Sequence, residues 1–116
     1  MGMVGNLHLE RAVAYKVEGN YDAALEELNK ALVQEPNSCA VHHQIGLVHG
    51  FTGMFDESLG ELKKAVELDS TFVLARNDLA LTYAMLGMYD EAKAEFDEVL
   101  RRDPGNEIAT RNLELF

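Results

Sequence analysis

The chain has 116 residues, 47% hydrophobic and 26% charged, with a formal net charge of −10 at pH 7. That length fits one domain with a core of its own, and a single cysteine, Cys39, excludes an intramolecular disulfide. The acidity argues against nucleic acid and anionic membrane surfaces as partners and favours a basic or apolar one.

In chain order, the sequence predicts three units: 5–38, 39–72 and 73–106. Each divides at a glycine into two amphipathic segments of helical length. The division repeats every 34 residues. Gly19, Gly53 and Gly87 are in register, as are Tyr21, Phe55 and Tyr89, then Leu28, Leu62 and Phe96, then Ala31, Ala65 and Val99. A period of this size is the signature of a stacked-repeat solenoid. In the middle unit the first helix is predicted from about Ala40 to Thr52 and the second from about Phe55 to Leu68. The last ten residues, Glu107–Phe116, read as one further short helix covering the end of the stack.

The punctuation has a physical basis. Gly19, Gly53 and Gly87 stand where a tight helix-to-helix turn needs a positive φ. Pro36 and Pro104 follow second helices and cannot continue them. Ser38, Asn106 and Asn20 are predicted N-caps, whereas Met54 and Met88, in the slot of Asn20, cannot cap. Asp56, Glu57, Asp90 and Glu91 offset that loss by placing negative charge at the helices' positive ends. Gly50 falls inside a helix and costs about 1 kcal/mol against alanine.

Within each unit, a large residue and a small one precede an aromatic or histidine in the first helix. A small residue, a large one and another small one follow in the second. The third unit shows this as Leu79, Ala80, Tyr83, Ala92, Phe96 and Val99, ending at Pro104. The second shows Ile45, Gly46, His49, Ser58, Leu62 and Ala65. The first shows Arg11, Ala12, Tyr15, Ala24, Leu28 and Ala31, ending at Pro36. In this pattern the chain resembles the tetratricopeptide repeat family over its whole length. The resemblance implies an all-α fold: a right-handed α-solenoid of three antiparallel helix pairs with a short C-terminal capping helix, forming a single domain over 1–116.

The resemblance also implies a function. First helices of the family line a concave groove that receives a peptide or helix of a partner protein. Carried onto this sequence, the groove positions include Leu9, Val13, His43, Leu47, Phe51, Leu74, Asn77, Leu81 and Met85. Lys16 falls on the same stripe in the first unit. Val13, Leu47 and Leu81 occupy one repeat position where a polar residue is common, so the expectation is a hydrophobic groove for an apolar peptide or the apolar face of a helix. Family members that grip a chaperone's C-terminal carboxylate use cations and asparagines at positions held here by Leu9, Val13, Gln44, Leu74 and Asp78. None of these is a cation, and Asp78 repels a carboxylate.

Other chemistries lack their residues. Cys39, His42, His43 and His49 lack the ligand spacing of a metal centre, so these histidines are expected to be packing or solvated side chains. Gly46, Gly50 and Gly53 follow no strand and precede no Lys-Ser or Lys-Thr pair, so no phosphate loop is predicted. No catalytic constellation and no cofactor motif is found, and the expected role is an adaptor or scaffold, not an enzyme. The rival expectation is self-assembly, because Leu113, Leu115 and Phe116 leave an apolar solenoid end. The longest apolar stretch, Ile45–Met54, is too short to span a bilayer, and Met1–Asn6 has no basic leader, so the expected location is the cytoplasm.

Overall fold

A computed structural model describes residues 6–116. Among these residues seven helices follow one another: α1 (Leu7–Val17), α2 (Tyr21–Gln34), α3 (Cys39–Phe51), α4 (Phe55–Leu68), α5 (Val73–Met85), α6 (Tyr89–Arg102) and α7 (Glu107–Leu113). No strand occurs among the described residues, and none of their helices is long and apolar enough to cross a membrane. The fold is an all-α helical-repeat solenoid.

Each helix pair is closed by the same turn. Gly19, Gly53 and Gly87 adopt φ of 81°, 80° and 76°, a left-handed conformation that costs a residue with a Cβ roughly 1–2 kcal/mol. The residue after each glycine donates its N–H to a carbonyl five residues back: Asn20 to Tyr15 at 2.9 Å, Met54 to His49 and Met88 to Tyr83, both at 2.8 Å. These bonds satisfy carbonyls that the ending helix leaves open. The caps fall as expected. Asn20, Ser38 and Asn106 accept N–H groups of Ala23, Val41 and Ala109, while Met54 and Met88 make no side-chain cap. Asn6 caps α1 as well.

The helices form two layers. Within each pair the helices pack closely, and each second helix packs on the next first helix. First helices also touch one another, α1 with α3 and α3 with α5, while α2, α4 and α6 make no comparable contact among themselves. The first helices are therefore the inner wall of the stack. The core runs between the layers. Ala24, Leu28, Ala31, Ala65, Ala92, Phe96 and Val99 are almost completely buried. Small residues let the helices approach. Gly46 shows how closely: a Cβ there would lie 2.7 Å from Leu62 Cγ. Ser58, in the slot of Ala24 and Ala92, is buried and satisfies its hydroxyl on the Gly46 carbonyl at 2.7 Å. Arg11, in the slot of Ile45 and Leu79, stays exposed at the first pair.

A polar rung recurs inside each pair. His8 meets Glu27 at 2.9 Å, His42 meets Glu61 at 2.7 Å, and Arg76 meets Glu95 at 2.8 Å. Each rung joins a first helix to its own second helix and is set by the 34-residue repeat.

Candidate functional site

Charge is segregated between the layers. Helices α2, α4 and α6 carry twelve acidic residues against six basic ones. Helices α1, α3 and α5 carry only Glu10 and Asp78 against Arg11, Lys16 and Arg76, together with all four histidines. The protein's negative field arises from the outer layer and the loops, so the inner wall is close to neutral.

The nine groove positions are not equivalent. Phe51, Leu74 and Met85 are the most exposed, at 59%, 60% and 64%. Leu81 is 37% exposed, and Val13 and Leu47 are half-buried. None of the three residues that share the ninth repeat position is shut away from water. Leu9 is half-buried and packs on the first core cluster. His43 and Asn77, expected on the groove face, are instead buried. His43 Nε2 lies 2.7 Å from Asp78 Oδ2, and its ring meets Phe72 edge-on at 4.9 Å. Asn77 donates from Nδ2 to Asn106 Oδ1 at 3.1 Å, tying α5 to the cap of α7. Both are internal struts, because the next first helix covers them.

Four of the exposed or half-exposed positions converge. Leu47, Phe51, Leu81 and Met85 line one cleft between α3 and α5, of about 170 Å³, with Gly50 and Asp78 also at its edge. The wall of this cleft is braced from outside it: Phe51 stacks on Tyr21 with ring centroids 5.7 Å apart. Val13, Leu9 and Leu74 lie outside the cleft.

The inner wall is less apolar than its sequence stripe implies. Lys16 donates from Nζ to Gln44 Oε1 at 2.6 Å, joining α1 to α3. The His43–Asp78 contact joins α3 to α5. Burial strips water from Lys16 and lowers its pKa, against the opposing pull of the Asp78 carboxylate. Glu10, Gln44 and Asp78 are 34 residues apart, so a polar line beside the apolar one was readable from the repeat. Three of the four histidines make such bonds, His42 contacting both Glu61 and the Pro36 carbonyl, whereas His49 Nδ1 is buried without a hydrogen-bond partner. Among the described residues, no three His, Cys, Asp or Glu side chains gather closely enough to hold a metal ion.

A second concavity lies at the C-terminal end. It has a volume of about 680 Å³ and is lined by Tyr89, Lys93, Asn112, Leu115 and Phe116. Phe116 leans on Tyr89 and Phe96, with ring centroids 5.9 and 6.4 Å apart.

No curated protein matches the sequence. Among solved structures, MamA superposes with a TM-score of 0.88 at 22% identity over 93% of this chain and 63% of its own. This chain thus spans less than two thirds of MamA. The second TPR domain of human RPAP3, solved in complex with the HSP70 peptide SGPTIEEVD, gives a TM-score of 0.86 at 22% identity over 93% of this chain and 90% of that domain. YrrB, described as a TPR protein with an unusual peptide-binding site, gives 0.86 at 22% identity over 97% and 59%. At these identities the likeness is one of fold. Residues 52–113, more than half of the chain, match the family described as Tetratricopeptide repeat. With the three glycine turns and the two-layer packing, that match establishes that the chain belongs to the tetratricopeptide repeat family.

Proposed function

We propose that this protein is an interaction module, an adaptor or scaffold without catalytic activity, that receives an apolar peptide or helix of a partner protein along its inner wall. The observation that carries this reading is the convergence of Leu47, Phe51, Leu81 and Met85 on one open cleft between α3 and α5. Large apolar side chains held half-exposed in a concave surface are a liability unless a partner covers them. The RPAP3 domain supports the reading by analogy of fold, since it was solved with a peptide bound.

The ligand differs from that neighbour's. Its peptide carries two consecutive glutamates and ends in aspartate. Here the positions for gripping a carboxylate hold Leu9, Val13, Gln44, Leu74 and Asp78, and the nearby cation, Lys16, is engaged with Gln44. An acidic tail meets no free cation among these groups, which favours apolar contact. The test is capture of partner segments by the wild-type chain and by Leu81→Glu. Binding lost with an intact helical circular dichroism signal supports the reading, and equal binding by both overturns it.

A second reading is self-association through the C-terminal end. It rests on Leu115 and Phe116, which are 80% and 45% exposed at the larger concavity, and on Ile108, which is 44% exposed on α7. Light scattering across a wide concentration range decides it: a constant monomer mass removes it.

A further inference from the structure

Two glycines interrupt α3, and only one has a packing reason. A Cβ at Gly46 would strike Leu62 Cγ at 2.7 Å, so the approach of α4 requires glycine there. At Gly50, one turn later, a Cβ would meet only Ser58 Oγ at 3.5 Å, an ordinary contact. Its φ is not in the left-handed region, which among the described residues holds only Gly19, Gly53 and Gly87. Neither packing nor backbone geometry calls for glycine at position 50, yet it forfeits about 1 kcal/mol of helix stability relative to alanine. What its missing side chain does is open the cleft between Leu47 and Phe51 on one side and Leu81 and Met85 on the other.

The rim of this opening carries one charge. Helix α3 contains no acidic residue, and Asp78 is the only one on α5. Asp78 lines the cleft, is held in place by His43, and keeps 30% of its side chain open to solvent. Its orientation is fixed before any partner arrives, so a cation placed beside it loses little in ordering it. The strongly acidic outer layer favours approach of a basic segment in the same way.

On the strength of the groove reading above, we propose that the space left by Gly50 is a socket for one large apolar side chain of the partner segment, and that Asp78 on its rim pairs with a lysine or arginine carried beside that anchor. The occupant is thus a short basic-apolar segment of another protein. A cleft of 170 Å³ admits one side chain, with Phe51 braced on Tyr21 as a rigid wall. Central anchors of this kind carry most of the energy of an interface.

The full chain is panned against a random-peptide display library, with the Leu81→Glu chain used for counter-selection. The enriched peptides are then titrated against wild type, Gly50→Leu, Gly50→Ala and Asp78→Asn. The proposal expects a large apolar residue next to Lys or Arg in the enriched set. It expects Gly50→Leu to weaken binding at least about tenfold, with Gly50→Ala weakening it less while folding more stably. It expects Asp78→Asn to weaken binding about three- to fivefold at low salt and hardly at high salt. Should Gly50→Leu fail to fold, Gly50→Ala carries the comparison, since its extra methyl group meets only Ser58 Oγ, at an ordinary contact distance of 3.5 Å. Peptides that bind wild type but not Leu81→Glu, yet ignore both Gly50 changes, overturn the socket and leave the groove reading standing. An acidic enriched set overturns the pairing with Asp78. A selection that yields nothing beyond the counter-selected background overturns the groove and the socket together.

Discussion

His42 and Arg76 stand one repeat apart and make the same two bonds. Each reaches a glutamate 19 residues ahead, Glu61 at 2.7 Å and Glu95 at 2.8 Å. Each also reaches a backbone carbonyl six residues back, Pro36 at 2.9 Å and Ser70 at 3.2 Å. The second bond fastens the loop between repeats to the helix that follows it. An imidazole and a guanidinium thus perform one structural task, which makes the position a clamp between helix pairs.

This equivalence predicts asymmetric outcomes. His42→Arg should fold and leave stability within about 1 kcal/mol of wild type, because the same two acceptors suit a guanidinium. Arg76→Ala should cost about 2–3 kcal/mol, since it removes charge-assisted bonds and leaves Glu95 part-buried without its partner. Urea denaturation of the two variants against wild type checks both. Equal losses would contradict the clamp.

Three glycines of the middle repeat predict one gain and two losses of different origin. Gly50→Ala should raise stability by up to about 1 kcal/mol, because only helix propensity changes. Gly46→Ala should lower it by about 1–3 kcal/mol, because buried Leu62 must move. Gly53→Ala should lower it by about 1–2 kcal/mol through its φ of 80° alone, since space is open around it. Thermal or chemical melts of the three read the order directly.

Acid sensitivity should be partly local to α6. Glu98 accepts from Arg101 at 2.9 Å and from Arg102 at 2.6 Å. The Arg101 hydrogen bond foremost, then Arg102, lowers its pKa from 4.5 to about 2. A carboxylate whose folded pKa is depressed adds stability that is present above its unfolded pKa and is lost as pH falls through the folded one. The loss attributable to Glu98 should therefore develop between pH 4.5 and about 2. Glu27, lowered chiefly by its bond to His8, changes in the same direction. Glu98→Gln should flatten that part of the stability–pH curve, losing at neutral pH the modest stability that a solvent-screened pair supplies and converging with wild type in acid. An unchanged acid limb would contradict the assignment.

Phe96 tests the core. It is fully buried, in the slot held by Leu28 and Leu62, and it also supports Phe116. Phe96→Ala should cost about 3–5 kcal/mol. A smaller loss would mean that the third pair is not packed as described. Calorimetry or urea melts measure it.

The fold was legible because a period of 34 residues reports backbone and packing together. Glycines at the turns, small residues at helix crossings and cap residues each follow from local chemistry that neighbours do not overrule. The site was legible only in part. Leu47, Phe51, Leu81 and Met85 could be placed on a shared stripe, but a stripe does not state which of its members the next helix covers. His43 and Asn77 are on the inner helices and buried all the same, because α5 and α7 pack over them. The rungs from His8, His42 and Arg76 were also in register, yet their partners lie on the second helix, and pairing across helices follows from rotation about each axis, which the repeat alone leaves open.

The most direct test of the inner-wall account is nitrogen-15 NMR of the full chain titrated with a peptide that it binds. The account predicts that the amide signals of Leu47, Gly50, Phe51, Leu81 and Met85 shift together, while α2, α4 and α6 remain still at their exposed faces. Shifts confined to Tyr89, Asn112 and the residues of α7, with α3 and α5 unmoved, would contradict it.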